Sequence, residues 1–242
     1  MKKLIACAMM AALVSGAVWA EVYSQNAVGY VRIEVPAGGL SMVSSPFANI
    51  DGTDQTLSDM FSDVPDGSRV FAYDAGETQQ YKSYNFFDGA GWFQRVDQEW
   101  VEADDVVIQR GQGVWLRNAS GSVLSSFIMG QVPGTSTFPE EDITIFPGLN
   151  MITVAYPVEI DMNTLTEELA STDGDRIFKW DAEAGGYKTA AFFAGAGWFD
   201  RVDGEWVESS MTIAPGQAIW YRSVADSSVS WTNKPGYDWP TN

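Results

Sequence analysis

The residues of this chain that could do chemistry stand in one block that occurs twice. Residues 89–102 read GAGWFQRVDQEWVE and residues 195–208 read GAGWFDRVDGEWVE, so twelve of fourteen positions are identical. Glycine-rich turns expose neighbouring aromatic rings, which cover the apolar faces of sugars, while carboxylates accept hydrogen bonds from sugar hydroxyls. The candidate ligand contacts are Trp92, Phe93, Asp97, Glu99 and Trp100 in the first copy, and Trp198, Phe199, Asp203, Glu205 and Trp206 in the second.

The same block supports two other interpretations. One is a β-hairpin whose tryptophans close a hydrophobic core. The other is glycoside hydrolysis, which needs two carboxylic acids across a cleft. The candidate catalytic pairs are Asp97/Glu99 and Asp203/Glu205, because alternate residues of one strand share a face. A catalytic site usually breaks internal symmetry, whereas both copies retain these acids, so we expect a protein that is not an enzyme.

Four cations also recur at equivalent positions, in a chain that otherwise favours acids. They are Arg69/Arg176, Lys82/Lys188, Arg95/Arg201 and Arg117/Arg222. Guanidinium groups pair with carboxylates and cover aromatic rings. We therefore expect internal bracing, with Arg95 near Asp97 or Glu102 and Arg69 near Asp74. Binding of an anion or a uronate is the alternative.

Three acidic loops, at residues 51–54, 63–66 and 173–175, could supply oxygen ligands to Ca²⁺. None has the full spacing of an EF-hand, and Asp and Gly are common in ordinary turns. We expect no cofactor, with a Ca²⁺ site as the alternative.

The composition excludes several classes of function. The chain has no histidine and one cysteine, Cys7. Serine–histidine catalysis, histidine-ligated metals and thiolate clusters are therefore excluded in their usual forms. A formal charge of −18 argues against nucleic acid and anionic membrane surfaces as partners.

The N-terminus has the pattern of an export signal. Lys2 and Lys3 precede an apolar run, and Val18-Trp19-Ala20 suits cleavage before Glu21. Removing residues 1–20 also removes Cys7, so the mature chain has no cysteine and is still more acidic. We expect an exported bacterial protein that is periplasmic, on the cell surface or extracellular, with no transmembrane span after cleavage.

The repeat extends over the whole mature chain. GSRVFAYD (67–74) corresponds to GDRIFKWD (174–181), and GQGVWLR (111–117) to GQAIWYR (216–222). We expect a first unit over residues 21–132 and a second over 133–242, joined by an extended segment at 131–141. Short apolar runs between Gly and Pro turns predict an all-β fold of two β-sandwich-like domains.

Each unit should also contain one short helix. Thr56-Leu-Ser-Asp59 and Thr164-Leu-Thr-Glu167 have the pattern of capping boxes, in which a Thr hydroxyl accepts from the third helical amide. The strands we expect in the first unit are 28–35, 40–46, 69–73, 105–109, 112–117 and 122–129. Those of the second unit are 143–146, 149–156, 176–180, 186–193, 211–214, 217–222 and 227–232.

The chain resembles a β-rich repeat of secreted proteins in verrucomicrobial and planctomycete-type bacteria. The resemblance is carried by Gln25-Asn-Ala-Val-Gly-Tyr-Val31 and by the repeated Gly-Gln-[Gly/Ala]-[Val/Ile]-Trp-[Leu/Tyr]-Arg. Gly148-Leu-Asn-Met-Ile152 and Pro215-Gly-Gln-Ala-Ile-Trp220 are similar to a looser module of bacterial surface proteins. The first unit departs from it at Arg110, where the second has Pro215. The resemblance implies an exported β-rich repeat and assigns no catalytic residue.

These observations favour a non-catalytic protein of the cell envelope or surface. The first hypothesis is a structural or scaffold protein that associates with itself. The alternative is a polysaccharide-binding module that uses the duplicated blocks, and a glycoside hydrolase is a remote third.

Overall fold

The computed structural model describes residues 27–134, 140–164, 169, 171–234 and 237. The proposed signal segment 1–20 lies outside them. The fold is all-β, as predicted, and every sheet draws its strands from one unit alone. In the part of the chain that the structure describes, no helix has the length and apolar character to cross a membrane.

The first unit contains ten strands and one short helix. A six-stranded antiparallel sheet has the order β2-β9-β4-β5-β6-β7, and the pairs β1-β10 and β3-β8 accompany it. The elements are β1 (Val28–Val35), β2 (Leu40–Ser44), β3 (Gln55–Thr56), α1 (Leu57–Met60), β4 (Arg69–Asp74), β5 (Gln80–Phe87), β6 (Gly91–Val96), β7 (Glu99–Glu102), β8 (Val107–Ile108), β9 (Gly113–Arg117) and β10 (Leu124–Gln131).

The second unit repeats this topology. Its six-stranded sheet has the order β12-β19-β14-β15-β16-β17, with the pairs β11-β20 and β13-β18. The elements are β11 (Glu141–Ile145), β12 (Gly148–Ile152), β13 (Ile160–Asp161), β14 (Arg176–Asp181), β15 (Gly186–Phe193), β16 (Gly197–Val202), β17 (Glu205–Glu208), β18 (Thr212–Ile213), β19 (Ile219–Ser223) and β20 (Val229–Asn233).

Every expected strand has a counterpart in the structure, but β5 was missed. Its sequence QYKSYNFF has no apolar alternation at its first residues, which are exposed. The corresponding GYKTAAFF of β15 was predicted because its second half is a continuous apolar run. Cross-strand pairing with β4 and β6 forms β5 despite its polar start.

The duplicated blocks form β-hairpins, which was one of the interpretations that the sequence left open. β6 pairs with β7 in the first unit, and β16 with β17 in the second. The short strands β3 and β13 were not expected. Each contains only two residues, too few for a recognisable alternation of apolar side chains.

Each unit has its own hydrophobic core on one face of the large sheet. In β1 the burial alternates, with Val31, Ile33 and Val35 buried between exposed residues, as expected for a half-covered strand. These side chains join α1 and the inner residues of the large sheet in one cluster. The second unit forms an equivalent cluster around Trp198 and Trp231.

The capping box of the first helix is confirmed, but that of the second is wrong. Thr56 accepts from the Asp59 amide, and the Asp59 carboxylate accepts from the Thr56 amide. In the second unit residues 162–164 are already helical, so Thr164 is not the cap. Asp161 instead accepts from the Asn163 amide across 2.8 Å, as an N-cap does. Residues 165–168, including Glu167, lie outside the described residues.

The outer faces of the two large sheets meet in a third apolar cluster, which we call the inter-unit cluster. Its buried members are Met42, Trp115, Met151, Ala218 and Trp220, and its half-buried members are Leu40, Phe71, Tyr73, Phe178 and Trp180. Each member of the cluster except Ala218 has an apolar or aromatic counterpart in the other unit.

Contacts within the inter-unit cluster follow a pseudo-twofold axis. Trp115 packs edge-on against Trp180 with ring centroids 5.3 Å apart. Trp220 and Tyr73, their counterparts, do the same at 4.9 Å. Each unit therefore contributes the same patch, which is the property of an isologous interface between identical subunits.

Candidate functional site

The first tryptophan of each block is a core residue. Trp92 and Trp198 are both 0% exposed. Trp92 packs against Phe86 with centroids 5.3 Å apart, and its Nε1 donates to the Phe61 carbonyl at 3.3 Å. Because a buried ring has no free face, the prediction that Trp92 and Trp198 contact a ligand is wrong. The hairpin-core interpretation holds for this position.

The acidic residues of the blocks do not form a carboxylate pair on one strand. Asp97 lies in the two-residue turn between β6 and β7, with φ at +48°, and Glu99 is the first residue of β7. Asp203 and Glu205 repeat this arrangement between β16 and β17. All four are exposed at the tips of hairpins. The turn takes the first acid out of the strand, so the shared face that we expected is absent at both positions.

The remaining aromatic residues of each block form an exposed cluster with an arginine. In the first unit Phe87, Phe93, Arg95 and Trp100 constitute what we call the first aromatic cluster. The rings of Phe87 and Trp100 are 5.1 Å apart, and those of Phe87 and Phe93 are 5.7 Å apart. The Arg95 guanidinium carbon lies 5.8 Å from the Trp100 centroid. Trp100 is 48% exposed.

The second unit reproduces this geometry closely. In the second aromatic cluster (Phe193, Phe199, Arg201 and Trp206) the corresponding distances are 5.0, 5.6 and 5.5 Å. Trp206 is 46% exposed. A half-exposed indole beside a guanidinium offers an apolar surface and hydrogen-bond donors to the same ligand. Each unit thus presents one such surface.

Each aromatic cluster shares its sheet face with a glutamate that the sequence did not single out. Glu102 pairs with Phe93, and Glu208 with Phe199, on neighbouring strands. Glu102 and Glu208 are both exposed. Glu99 precedes Trp100 directly in β7, and adjacent residues of a strand point to opposite faces. Glu102 is therefore better placed than Glu99 to contact a ligand on the first aromatic cluster.

In the part of the chain that the structure describes, the matched arginines form no ion pairs that would brace the fold. Among the described residues Arg69, Arg95, Arg176 and Arg201 have no carboxylate within ion-pair distance. Arg95 and Arg201 instead cover the tryptophan rings of their clusters. The expected pairs of Arg95 with Asp97 or Glu102, and of Arg69 with Asp74, are therefore wrong.

The other matched arginines lie opposite each other on neighbouring strands. Arg69 faces Arg117 across β4 and β9, and Arg176 faces Arg222 across β14 and β19. Like charges directly opposite each other destabilise a sheet. Both units nevertheless have this arrangement, on the same sheet face as Phe93 and Phe199. Of the matched lysines, Lys188 pairs with Asp181 at 3.0 Å.

The carboxylates of the acidic loops serve as hydrogen-bond acceptors for groups of the protein itself. Asp51 accepts from the hydroxyl and the amide of Thr53 at 2.7 and 3.0 Å, which lowers its pKa. Asp66 accepts from the Asp88 amide, and Asp173 from the Ala194 amide. Within the described ranges, no three acidic residues converge as metal ligands. Asp51 thus forms an ordinary Asx turn, whereas Asp66 and Asp173 each tie their loop to the turn that follows β5 or β15.

Sequence reasoning missed Phe87 and Phe193 as candidate ligand contacts. The signal was present, because Asn85-Phe-Phe87 and Ala191-Phe-Phe193 precede the two blocks at the same distance. The outward direction of the second phenylalanine depends on the strand register, in which Phe87 pairs with Gly91. The sequence pattern alone does not predict that register.

In comparisons with known proteins, no family model, curated protein or solved structure matches this chain significantly.

Proposed function

We propose that this chain is an exported, non-catalytic protein that binds polysaccharide at two equivalent sites, the first and second aromatic clusters. The observation that carries the proposal is the repetition of one exposed aromatic geometry. The phenylalanine and tryptophan rings are 5.1 Å apart in the first cluster and 5.0 Å apart in the second. Fold stability requires this repetition only weakly, because a half-exposed ring with a cation–π contact contributes about 1 kcal/mol or less.

Two sites on one chain suit a polymeric ligand. Once one cluster has bound a polysaccharide, the other encounters the same chain at a high effective concentration. The exposed acids Glu102 and Glu208 lie on the faces of the clusters, and their carboxylates can accept hydrogen bonds from hydroxyls. No proton transfer is needed for this function.

The test is binding of residues 21–242 to a panel of polysaccharides, measured by affinity electrophoresis and by quenching of tryptophan fluorescence. We expect Trp100→Ala and Trp206→Ala each to weaken binding by roughly tenfold, through loss of avidity, and the double variant to abolish it. Ile50→Ser, which removes an exposed apolar side chain outside both clusters, is the control. If the double variant binds as well as the parent, the clusters are not the sites.

A second candidate function is self-association, which one surface of the first unit favours. Val28, Tyr30, Phe127 and Met129 are 50–73% exposed on the outer face of β1 and β10. The counterpart of Phe127 in the second unit is Thr232, which donates to Asp142 at 2.6 Å. The apolar surface is therefore specific to the first unit, and a contiguous exposed apolar patch marks an interaction site.

A second copy of this chain is the occupant that the charges favour. Arg32 and Glu34 lie on the same face and pair at 2.6 Å, so the patch is locally neutral in a strongly acidic protein. Two such patches stacked antiparallel bring the arginine of each near the glutamate of the other. We expect concentration-dependent dimers in light scattering, and monomers for Phe127→Thr, which installs the residue of the second unit. An unchanged mass for Phe127→Thr contradicts this candidate.

A further inference from the structure

The two hairpins of the second large sheet diverge towards their tips and leave a cleft. β14 and β15 remain paired as far as Asp181 and Gly186, and β16 and β17 as far as Val202 and Glu205. Between the hairpins, however, β15 pairs with β16 only over Ala190–Phe193. The space between the diverging hairpins is about 760 Å³.

The lining of this cleft is positively charged, although the chain as a whole is acidic. Its charged side chains are four cations and one carboxylate: Arg176, Lys179, Lys188, Arg201 and Asp200. Lys188 pairs with Asp181, whereas the Lys179 Nζ donates to the Thr212 carbonyl at 2.7 Å. Burial, aided by the charge of Lys188, lowers the pKa of Lys179, and a bound anion would oppose that shift.

The cleft also contains groups that recognise a sugar. Trp206, the indole of the second aromatic cluster, lines it together with the hydroxyl-bearing Thr189. Oδ1 of Asp200 is buried and has no hydrogen-bond partner among the described residues. An ionised carboxylate oxygen can only accept, so a ligand group that donates would satisfy it. Sugar hydroxyls donate, whereas a simple anion such as a fully ionised carboxylate does not.

Comparison with the first unit shows which features are specific to this cleft. Lys179 corresponds to Ala72, Asp200 to Gln94 and Ala191 to Asn85. The second unit thus gains one cation and has an acceptor-only carboxylate in place of a neutral amide, and the smaller Ala191 leaves more space on the sheet. The blocks differ at only two positions, and Gln94/Asp200 is one of them. The exchange of Gln for Asp therefore falls within an otherwise nearly identical segment.

We propose that the cleft between the hairpins β14–β15 and β16–β17 binds an acidic sugar of a polysaccharide chain, with a carboxylate held by the lysine and arginine side chains and a hydroxyl donating to Asp200. This inference rests on the proposed polysaccharide binding and adds the class of sugar. The second unit binds the charged sugar, and the first aromatic cluster stacks on a neighbouring part of the same polysaccharide.

The test compares three polymers by isothermal titration calorimetry on residues 21–242. Polygalacturonate carries carboxylates and hydroxyls, its methyl ester lacks the charge, and poly-L-glutamate lacks the hydroxyls. We expect tight binding of polygalacturonate only. Lys179→Ala installs the residue of the first unit and should weaken that binding roughly tenfold, since a charge-assisted hydrogen bond is lost. Lys82→Ala, which removes a cation from the first unit, should leave it unchanged.

The possible results separate the two proposals. Equal binding of polygalacturonate and its methyl ester, or an unchanged affinity for Lys179→Ala, overturns the acidic-sugar inference and leaves polysaccharide binding intact. Equal binding of poly-L-glutamate also overturns it, because the sugar is then not recognised. If neither sugar polymer binds, and the wider panel does not bind either, both proposals fail. Melting temperatures within about 2 °C of the parent verify that each variant is folded.

Discussion

The Ser44 hydroxyl donates to the Thr153 hydroxyl across 3.1 Å, and these two buried residues hold the same position in the two units. Thr153 in turn donates to the Gln217 carbonyl at 2.7 Å. A contact between equivalent residues can occur only on the axis that relates the units. The backbone agrees, since the Ser44 amide donates to the Gly216 carbonyl and the Thr153 amide to the Gly111 carbonyl.

The close approach at this axis gives a prediction about glycine. A Cβ added to Gly113 would lie 2.4 Å from the Ala218 Cβ and 3.0 Å from the Met151 Cγ. We expect Gly113→Ala to lower the free energy of unfolding by about 1–3 kcal/mol, because overpacking forces the sheets apart. Gly121→Ala, whose Cβ would meet no atom within 4 Å, is the control for chemical denaturation. Equal stability of the two variants would contradict the tight axis.

The two tryptophans of one block should respond differently to mutation. Trp92→Ala leaves a cavity in the core and should destabilise the protein by about 3–5 kcal/mol. Trp100→Ala removes a half-exposed ring and a cation–π contact, so we expect a loss of about 1 kcal/mol or less. Thermal unfolding measures both. A large loss of stability for Trp100→Ala would mean that the first aromatic cluster is structural.

A buried arginine links the units and predicts a dependence on pH. The Arg110 side chain is only 7% exposed and pairs with Asp54 at 3.3 Å and with Glu141. Removing one partner of a buried ion pair costs about 3–5 kcal/mol. Burial raises the pKa of Glu141 above its ordinary value, despite the opposing charge of Arg110.

The sign of this dependence follows from proton binding. The pKa of Glu141 is higher in the folded state than in the unfolded state. At pH values between these two pKa values the folded state binds more protons, so the contribution of Glu141 to stability falls as the pH rises through this range. Without Arg110 the ionised carboxylate is less stable still. We expect Arg110→Ala to be more destabilising at about pH 8 than at about pH 5, measured by urea unfolding. The same loss at both values would exclude Glu141 as its cause.

The helix caps give a comparison within one chain. Thr56 and Asp161 each accept from a helix amide. Their replacement by Ala should destabilise the protein by about 0.5–2 kcal/mol in each case. Thr164 is an exposed residue inside the helix, and for Thr164→Ala we expect little change or a slight gain in urea unfolding, because Ala favours helices. If Thr164→Ala is more harmful than Asp161→Ala, the cap assigned to Asp161 is incorrect.

Patterns in the amino-acid sequence are sufficient to predict the duplication, the all-β class and most of the strands. Identical blocks and alternating apolar residues are local signals, and they do not depend on how distant segments meet. The first helix cap was predictable for the same reason, because Thr56 and Asp59 are close neighbours in the chain. The cap of the second helix was predicted at the wrong residue, because Asp161 can cap a helix as well as Thr164. The pairing of Ile160–Asp161 with β18 decides where the strand ends and the helix begins.

Which aromatic rings face inwards depends on how distant segments of the chain pack together. Trp92 and Trp100 belong to the same short block, and the hairpin turn at Asp97 and Gln98 sets the register that buries one and exposes the other. The inter-unit cluster likewise had no local signal, because Trp115 and Trp180 are far apart in sequence and each belongs to a strand with its own core face. A side chain is buried only when another segment covers it, and that segment comes from elsewhere in the chain.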